Sequence, residues 1–221
     1  MSLKKVLDKA SLGGMVGMVR LGTTGKFACE DGDKSLLVFY KGEEKDLFKE
    51  EIGVFHLGVL LDILKSMDDP KITYKDGTLT IKEGGKTFEY LTADPEVIYT
   101  TYKPGKGEHI DSKLDKVGKA VKIKLTVEQV RDILKGASVL KDASIIFIEG
   151  DVIGIGNENE NKFRIKLEKG AGIEDKVVLP KKAFQAVLQA CEGEVTLALR
   201  KDKAPVVVTE NDLTFVIKQL E

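Results

Sequence analysis

Apolar residues recur with a helical period in four short segments of this chain. In each segment they stand at positions i, i+3, i+4 and i+7, which places them on one stripe of an amphipathic helix. Start signals agree with this pattern, since Ser2 and Thr126 are suited to cap a helix and Pro180 is suited to a first turn. The pattern therefore predicts four helices, at about residues 2–12, 55–67, 126–137 and 181–191.

Each helical segment is followed by short alternating runs separated by turn residues. Asp76-Gly77 lies between two such runs, and Glu149-Gly150-Asp151 lies between two others. Asp-Gly between alternating runs is a strong hairpin signal. Further strands are predicted at about residues 195–199, 206–209 and 213–217. The chain is thus predicted to be α+β, with antiparallel sheets packed against its helices.

The spacing of the helices predicts two similar domains. The helices start near residues 3, 55, 126 and 181, so the middle gap is about 17 residues longer than the other two. The stretch at 98–114 has that length, contains Lys103-Pro104-Gly105-Lys106-Gly107 and shows little periodicity. We expect an N-terminal domain at 1–97, a connector at 98–114 and a C-terminal domain at 115–221, each with two helices.

Composition changes this picture little. The chain is 42% hydrophobic and 32% charged, with a formal net charge of −1, which is typical of a soluble globular protein. No apolar run approaches the ~18 residues of a membrane span, and the N-terminus lacks the apolar stretch of a secretory signal. We expect no membrane association. Any contact with nucleic acid must come from an uneven distribution of charge.

The motifs that carry chemistry are missing or incomplete. Neither His56 nor His109 has neighbours at metal-ligand spacing. Gly154-Ile155-Gly156 lacks the third glycine of a dinucleotide-binding turn. Asp68-Asp69-Pro70 is better explained as a helix stop than as a carboxylate pair, and the polar run at 157–161 as a hairpin tip than as a cation site. We therefore expect no enzyme activity, no cofactor and no metal.

The polar faces of the predicted helices carry an excess of positive charge. Eight cations stand against four anions, a balance of 8 − 4 = +4 in a chain of net −1. Ordinary solvated helix surface explains so small an excess equally well. The cations are Lys4, Lys5, Lys9, Lys65, Arg131, Lys135, Lys181 and Lys182, the anions are Asp8, Asp62, Glu128 and Asp132, and Lys122, Lys124 and Lys141 flank the third helix and are expected to add to the same side.

Residues 56–98 resemble the corresponding part of the sliding clamps of T-even-type bacteriophages. The resemblance lies in the leucine-rich helix ending at Asp68-Asp69, the hairpin through Asp76-Gly77, and Ala93-Asp94-Pro95 at the start of the connector. It implies a homotrimeric ring of six similar domains, with sheets outside and helices around a central hole. It further implies that the ring encircles duplex DNA without sequence specificity, is opened by an ATP-driven clamp loader, tethers the replicative DNA polymerase and serves late transcription, in the cytoplasm of the infected host cell.

Helix spacing agrees with a trimer. Twelve helices packed side by side at ~8–10 Å give a circumference of ~100–120 Å and a diameter of roughly 32–38 Å between helix axes. Subtracting one helix width of ~10 Å leaves room for a duplex, whereas eight helices leave about half that opening. The eight helix cations, together with Lys122 and Lys124, are the candidate DNA-facing residues.

Two further surfaces follow from the clamp resemblance and from the need of sheet edges for partners. Ring closure is expected by strand addition between the edges at 87–91 and 162–167, with candidate interface residues Thr87, Phe88, Tyr90, Phe163, Ile165 and Leu167. Clamp partners bring a short tail with hydrophobic anchors, for which the candidate groove is Val97, Ile98, Tyr99, Tyr102, Pro205, Val206, Leu213 and Phe215.

Two alternatives remain open at this point. A monomeric two-domain, β-rich protein-binding module without a DNA role also has no catalytic motifs, but it leaves the repeated helix–hairpin units and their charge unexplained. An enzyme with a site assembled from scattered residues such as Asp68, Asp69 and His109 would require a deep pocket with perturbed carboxylates.

Overall fold

The chain divides into two compact units, at residues 1–110 and 111–221. The computed structural model describes residues 2–23, 27–40, 48–98, 121–167, 173–199 and 206–220. The division falls within the predicted connector at 98–114, of which only Ile98 lies among the described residues.

Four α-helices lie where the apolar stripes predict them. Ser2 caps α1, since its Oγ accepts a hydrogen bond from the backbone N–H of Lys5. Thr126 forms a capping box with Gln129, which fixes the start of α3. In the described part of the chain the helices are α1 (Leu3–Ser11), α2 (Leu57–Lys65), α3 (Val127–Val139) and α4 (Lys181–Ala190), with 3-10 turns at Leu12–Gly14 and Pro95–Val97.

The first unit contains two antiparallel sheets. One has the strand order β4-β1-β2-β3 and the other is the meander β5-β6-β7. The strands are β1 (Val19–Leu21), β2 (Phe27–Glu30), β3 (Leu36–Tyr40), β4 (Ile52–Val54), β5 (Lys71–Lys75), β6 (Thr78–Glu83) and β7 (Lys86–Leu91).

The second unit repeats this plan. Its sheets have the orders β15-β14-β13-β8 and β11-β10-β9-β12. The strands are β8 (Val121–Leu125), β9 (Ile145–Gly150), β10 (Val152–Ile155), β11 (Phe163–Lys166), β12 (Ile173–Pro180), β13 (Val195–Leu199), β14 (Val206–Glu210) and β15 (Leu213–Ile217).

The hairpin turns use the left-handed backbone conformation that their residues favour. Asp76 and Gly77 join β5 to β6 with φ of 48° and 76°, as a type I′ turn requires. Gly150 follows the same logic between β9 and β10, and Asn211 between β14 and β15. The hairpins predicted at Asp76-Gly77 and at Glu149-Gly150-Asp151 are confirmed, and the two strands predicted at 206–209 and 213–217 also form a hairpin.

The apolar stripes of the helices form the core of each unit. Val6, Leu7 and Ala10 of α1 are fully buried, and the equivalent positions of α2, α3 and α4 are buried as well. Cys29 is buried, whereas Cys191 follows α4 and is only half-buried. No described helix is long and apolar enough to cross a membrane.

Two glycines allow aromatic rings to pack against the backbone in the second unit. A Cβ added to Gly136 of α3 would lie 2.3 Å from the Phe163 ring of β11. A Cβ added to Gly154 of β10 would lie 2.1 Å from the ring of Phe147, its cross-strand partner on β9. Gly136 therefore serves the contact between α3 and the edge strand β11, and the helix continues past it to Val139.

Residues 92–98 are fixed to the edge of β4. Gly53 and Ala93 exchange two backbone hydrogen bonds, of 3.1 and 2.8 Å. A Cβ on Gly53 would lie 2.8 Å from the carbonyl oxygen of Ala93 and 3.0 Å from Ile98. Only glycine fits this close approach, and it places Ile98 in the core.

Candidate nucleic-acid interface on the helix pairs

The helices form two antiparallel pairs, α1 with α2 and α3 with α4. Leu57, the first residue of α2, donates its backbone N–H to the carbonyl of Gly17, beyond the end of α1 (2.9 Å). Lys181, the first residue of α4, donates its backbone N–H to Ser144, beyond the end of α3 (2.8 Å). The second helix of each pair therefore begins beside the end of the first.

Three of the predicted DNA-facing lysines, Lys4, Lys9 and Lys181, are hydrogen-bonded or buried within these helix pairs. Lys4 Nζ donates to the carbonyl of Met67, just beyond the end of α2 (2.7 Å). Lys181 Nζ donates to the carbonyls of Leu140 and Lys141, at the end of α3 (2.5 and 3.2 Å). Lys9 and Lys181 are each only 8% exposed. These cations neutralise the partial negative charge of a helix C-terminus or pack in the core, so the prediction that they face DNA is corrected.

Five predicted cations remain exposed on the helices, namely Lys5, Lys65, Arg131, Lys135 and Lys182. Lys65 pairs with Asp8 at 2.6 Å and Lys135 with Asp132 at 3.7 Å. With Asp62 and Glu128 also exposed, the balance of exposed helix charge is 5 − 4 = +1, against the +4 expected from the sequence. Almost no positive excess therefore remains on the exposed surface of the helices as a whole.

Lys122 and Lys124 are exposed, but they do not share a face with Arg131 and Lys135. They lie in strand β8, where they alternate with the buried Ile123 and Leu125. Successive side chains of a strand point to opposite faces of the sheet. Both lysines thus occupy the face of β8 away from the core, which corrects their placement beside α3.

The two predicted ring-closing strands lie at sheet edges. Among the described residues, β7 pairs only with β6, and β11 pairs only with β10. The exposed side chains include Thr87 and, at 40%, Phe88. Phe163 and Ile165 are half-buried on the core face of β11. Whether these edges join two subunits stays a prediction.

Two of the candidate interface side chains belong to the core instead. Leu167 is buried, and its backbone N–H donates to Asp151 (2.7 Å). Tyr90 is also buried, and its hydroxyl accepts a hydrogen bond from the backbone N–H of His56 (3.0 Å). Burial raises the pKa of the Tyr90 hydroxyl, although that hydrogen bond opposes the rise. Both residues can contribute only their backbone to a strand pairing.

Most residues predicted to line a partner-peptide groove are buried. Ile98, Val206, Leu213 and Phe215 have at most 3% of their surface exposed. They are core residues, because a side chain without open surface cannot anchor a docking peptide, and their assignment to the groove is corrected. Val97 is 59% exposed, so its assignment to the groove stays a prediction. Tyr99, Tyr102 and Pro205 lie outside the described residues.

Sequence inspection missed an ionic cluster around the buried Arg20, whose partners Glu51 and Glu96 reach the surface. Its guanidinium, in strand β1, binds Glu51 (2.5 and 2.9 Å), Glu96 (3.1 Å) and the carbonyl of Pro95 (3.3 Å). Burial lowers the pKa of Arg20, but the hydrogen bonds to Glu51 and Glu96 outweigh it and the pKa is raised. The sequence does contain one indication of this cluster, namely a cation between the apolar residues Val19 and Leu21. An arginine is seldom buried unless it is paired with an acidic partner.

The described residues that could form a cation or metal site do not form one. Asn157 accepts hydrogen bonds from Ser144 and donates to Glu160, so the loop at 157–161 is closed by its own side chains. Within the described ranges no group of three or more His, Cys, Asp or Glu side chains is placed to hold a metal ion. His109 lies outside those ranges.

Two units with the same plan, each a pair of helices on antiparallel sheets, define the sliding-clamp fold. Solved structures match it over nearly the whole chain. The beta clamp of Helicobacter pylori bound to a DNA ligase peptide has a TM-score of 0.71 at 16% identity, covering 99% of this chain and 63% of that one. A putative DNA polymerase III beta subunit from Eubacterium rectale has a TM-score of 0.70 at 12% identity, covering 99% and 62%. The DNA polymerase sliding clamp of Pseudomonas aeruginosa has a TM-score of 0.67 at 14% identity, covering 100% and 63%.

This protein thus has the sliding-clamp fold but spans less than two thirds of the length of these bacterial clamps. No protein-family model matches the sequence, and no curated protein matches it.

Proposed function

We propose that the chain is the subunit of a DNA sliding clamp, a ring that encircles duplex DNA without sequence specificity and tethers a DNA polymerase. The observation that carries this proposal is the sliding-clamp fold, matched over 99% of the chain at a TM-score of 0.71. A ring holds DNA by topology, so a net charge of −1 and a small excess of helix cations are sufficient. Exposed lysines meet phosphates without reading bases, which leaves the ring free to slide.

The ring is proposed to be a homotrimer closed by strand addition between β7 of one copy and β11 of the next. The two edges match in the apolar character of their core faces and in the charge of their outer faces. On their core faces β7 presents Phe88 and β11 presents Phe163 and Ile165. On their outer faces β7 presents Glu89 and β11 presents Arg164. Continuing the sheet across the subunits would bring apolar residues together on one face and opposite charges together on the other.

The proposed partners follow from the clamp role. They are a clamp loader that opens the ring, the replicative DNA polymerase, other DNA-acting proteins and late-transcription factors. We propose the cytoplasm of an infected host cell as the location of this activity, as the resemblance to T-even-type phage clamps implies. The beta clamp of Helicobacter pylori was solved with a DNA ligase peptide, so a short peptide is a reasonable class of ligand here too.

The native mass in solution tests the ring. Sedimentation across a concentration series should show a species near three times 24.3 kDa. Glu89→Arg and Arg164→Glu should each shift the protein toward monomer because they place like charges at the junction, and the double variant should recover the trimer. A wild-type chain that stays monomeric at high concentration would remove the ring and favour the protein-binding module.

Topological retention on DNA tests the function itself. The trimer, loaded with its clamp loader on nicked circular DNA, should stay bound through gel filtration at high salt. It should be lost once the circle is cut, because a linear duplex has ends from which a ring slides off. Equal retention on cut and uncut circles would contradict encirclement.

A further inference from the structure

The end of α3 and the start of α4 bring four lysines into one region, the basic corner, formed by Lys135, Lys141, Lys181 and Lys182. Lys181 joins the two elements, because its ammonium donates to the carbonyls of Leu140 and Lys141. This contact places the exposed Lys182 beside the exposed Lys141. Lys135 lies on the same end of α3, about one and a half turns before Leu140.

Positive charge prevails at this end of the helix pair. With the adjoining loop, which Asn157 joins to Ser144, the basic corner has five lysines, Lys162 included, against Asp132, Asp142, Glu158 and Glu160, a balance of 5 − 4 = +1. The opposite end has Lys124 and Arg131 against Glu128, Glu192 and Glu194, a balance of 2 − 3 = −1. Neither Lys141 nor Lys182 is paired with a carboxylate of the described residues, and the first turn of α4 contains no acidic side chain. Both ammonium groups are therefore available to an external anion.

The corresponding end of the first unit has a different chemistry. There α2 begins beside the segment that follows α1, through the hydrogen bond from Leu57 to Gly17. The exposed side chains at this end include Phe55 and Val59, at 48% and 54%, and His56, while Lys9 in the last turn of α1 is buried. The two units share a fold, but among the residues that the structure describes only the second has a basic corner at this position.

We propose that the basic corner is the main phosphate-contacting surface of each subunit, so that the two units share the DNA backbone unequally. This inference rests on the proposed clamp function and names the residues that perform it. Lys141 and Lys182 are the contact residues, and Lys181 is a positioning residue that holds them side by side. Lysine suits this role because its ammonium is a point charge on a flexible stem, which can pass from one phosphate to the next.

The test compares two double variants of the full-length trimer. Lys141→Gln with Lys182→Gln removes the contact charges of the basic corner. Lys122→Gln with Lys124→Gln removes two exposed lysines of the same unit from the outward face of β8, so both variants have the same net charge. The affinity for a short labelled duplex is measured by anisotropy across a salt series, after native mass and thermal unfolding have shown each variant to be an intact trimer.

The corner variant should reduce the slope of log affinity against log salt by about one to two, and lower the affinity about threefold to tenfold at the lowest salt, as expected for one or two lost phosphate contacts. The β8 variant should keep the wild-type slope. Equal slopes for wild type and corner variant would overturn the proposal that the basic corner contacts phosphates, without contradicting the clamp function. That result is the one expected if the corner binds an acidic protein instead of DNA. A wild-type trimer without salt-dependent affinity or retention on circles would overturn the clamp function itself.

Discussion

The contact between Gly136 and Phe163 gives the sharpest prediction about stability. Gly136 lies inside α3, where alanine would ordinarily be the better residue by about 1 kcal/mol. In this protein the added methyl group would lie 2.3–2.7 Å from three carbons of the Phe163 ring. Real Cβ atoms do not approach a ring so closely, so the ring, strand β11 or α3 must move.

The magnitude follows from two opposing terms. Overpacking a well-packed site costs ~1–3 kcal/mol, and an overlap with three ring atoms belongs at the upper end of that range. Subtracting the helix-propensity gain of ~1 kcal/mol leaves a net loss of about 2 kcal/mol for Gly136→Ala. For a chain of this size that loss lowers the melting temperature by about 4–8 °C.

The assay is chemical and thermal unfolding of Gly136→Ala and of a matched variant, Gly58→Ala. Gly58 is an exposed residue of α2, and a Cβ added there meets nothing within 4 Å, so Gly58→Ala should be neutral or stabilising by up to ~1 kcal/mol. All variants are compared at one protein concentration, because assembly makes apparent stability concentration-dependent. A third variant, Phe163→Ala, allows a double-mutant cycle in which Gly136→Ala no longer destabilises.

Two results would refute this reasoning. Gly136→Ala could prove as stabilising as Gly58→Ala, or its cost could persist unchanged in the Phe163→Ala background. Either would mean that the ring does not occupy the space above Gly136. A confirmed clash should also weaken the trimer, since Phe163 belongs to the edge proposed to join subunits.

Three further changes have defined outcomes. Burial raises the pKa of the Cys29 thiol far above its ordinary value of 9.0, so the folded state keeps the proton that the unfolded state loses. The contribution of Cys29 to the free energy of unfolding should fall by ~1.4 kcal/mol per pH unit above about pH 9, and Cys29→Ala, measured by unfolding at pH 8 and 10, should lose that part of the slope. Arg20→Met should cost about 2–3 kcal/mol in denaturant unfolding, less than a fully buried pair because Glu51 retains some solvent contact; a cost below ~0.5 kcal/mol would contradict the role of the cluster. Lys181→Met should cost about 1–2 kcal/mol through the lost bonds to the carbonyls at the end of α3, whereas Lys182→Met should change stability by less than ~0.5 kcal/mol; similar effects of both would show that Lys181 is not a structural tie.

Local patterns predicted the elements of the fold because each element is fixed by residues close in sequence. The stripe of Val6, Leu7 and Ala10 can bury itself only as a helix, and Asp76-Gly77 supplies the positive φ angles of its turn whatever lies around it. Two helices with antiparallel strands in each domain are therefore predictable from spacing alone, whereas the edge positions of β7 and β11 follow from the clamp resemblance and from the need of sheet edges for partners.

The charged site was less predictable, because the exposure of each lysine side chain depends on contacts with residues that are distant in sequence. Nothing near Lys181 indicates that its ammonium reaches Leu140, 41 residues away along the chain. Lys124 lies two residues before Thr126, so the sequence predicts that its charge adds to the side of the third helix, yet it lies in strand β8 and its side chain is on the face away from the core. Leu213 and Phe215 are apolar, and an apolar side chain suits a peptide-binding groove as well as a core. Only their burial in the structure shows that they belong to the core.

The bridge between Gly53 and Ala93 has a practical consequence for engineering. Residues 92–98 are held at a fixed point of the first unit, with Ile98 buried in the core and Arg20 bound to the carbonyl of Pro95. A label or short peptide inserted directly after Ile98 would therefore begin at an anchored residue, and its motion would not be transmitted to the sheet. The same insertion placed between Ala93 and Ile98 would separate the anchors from one another and release the edge of β4.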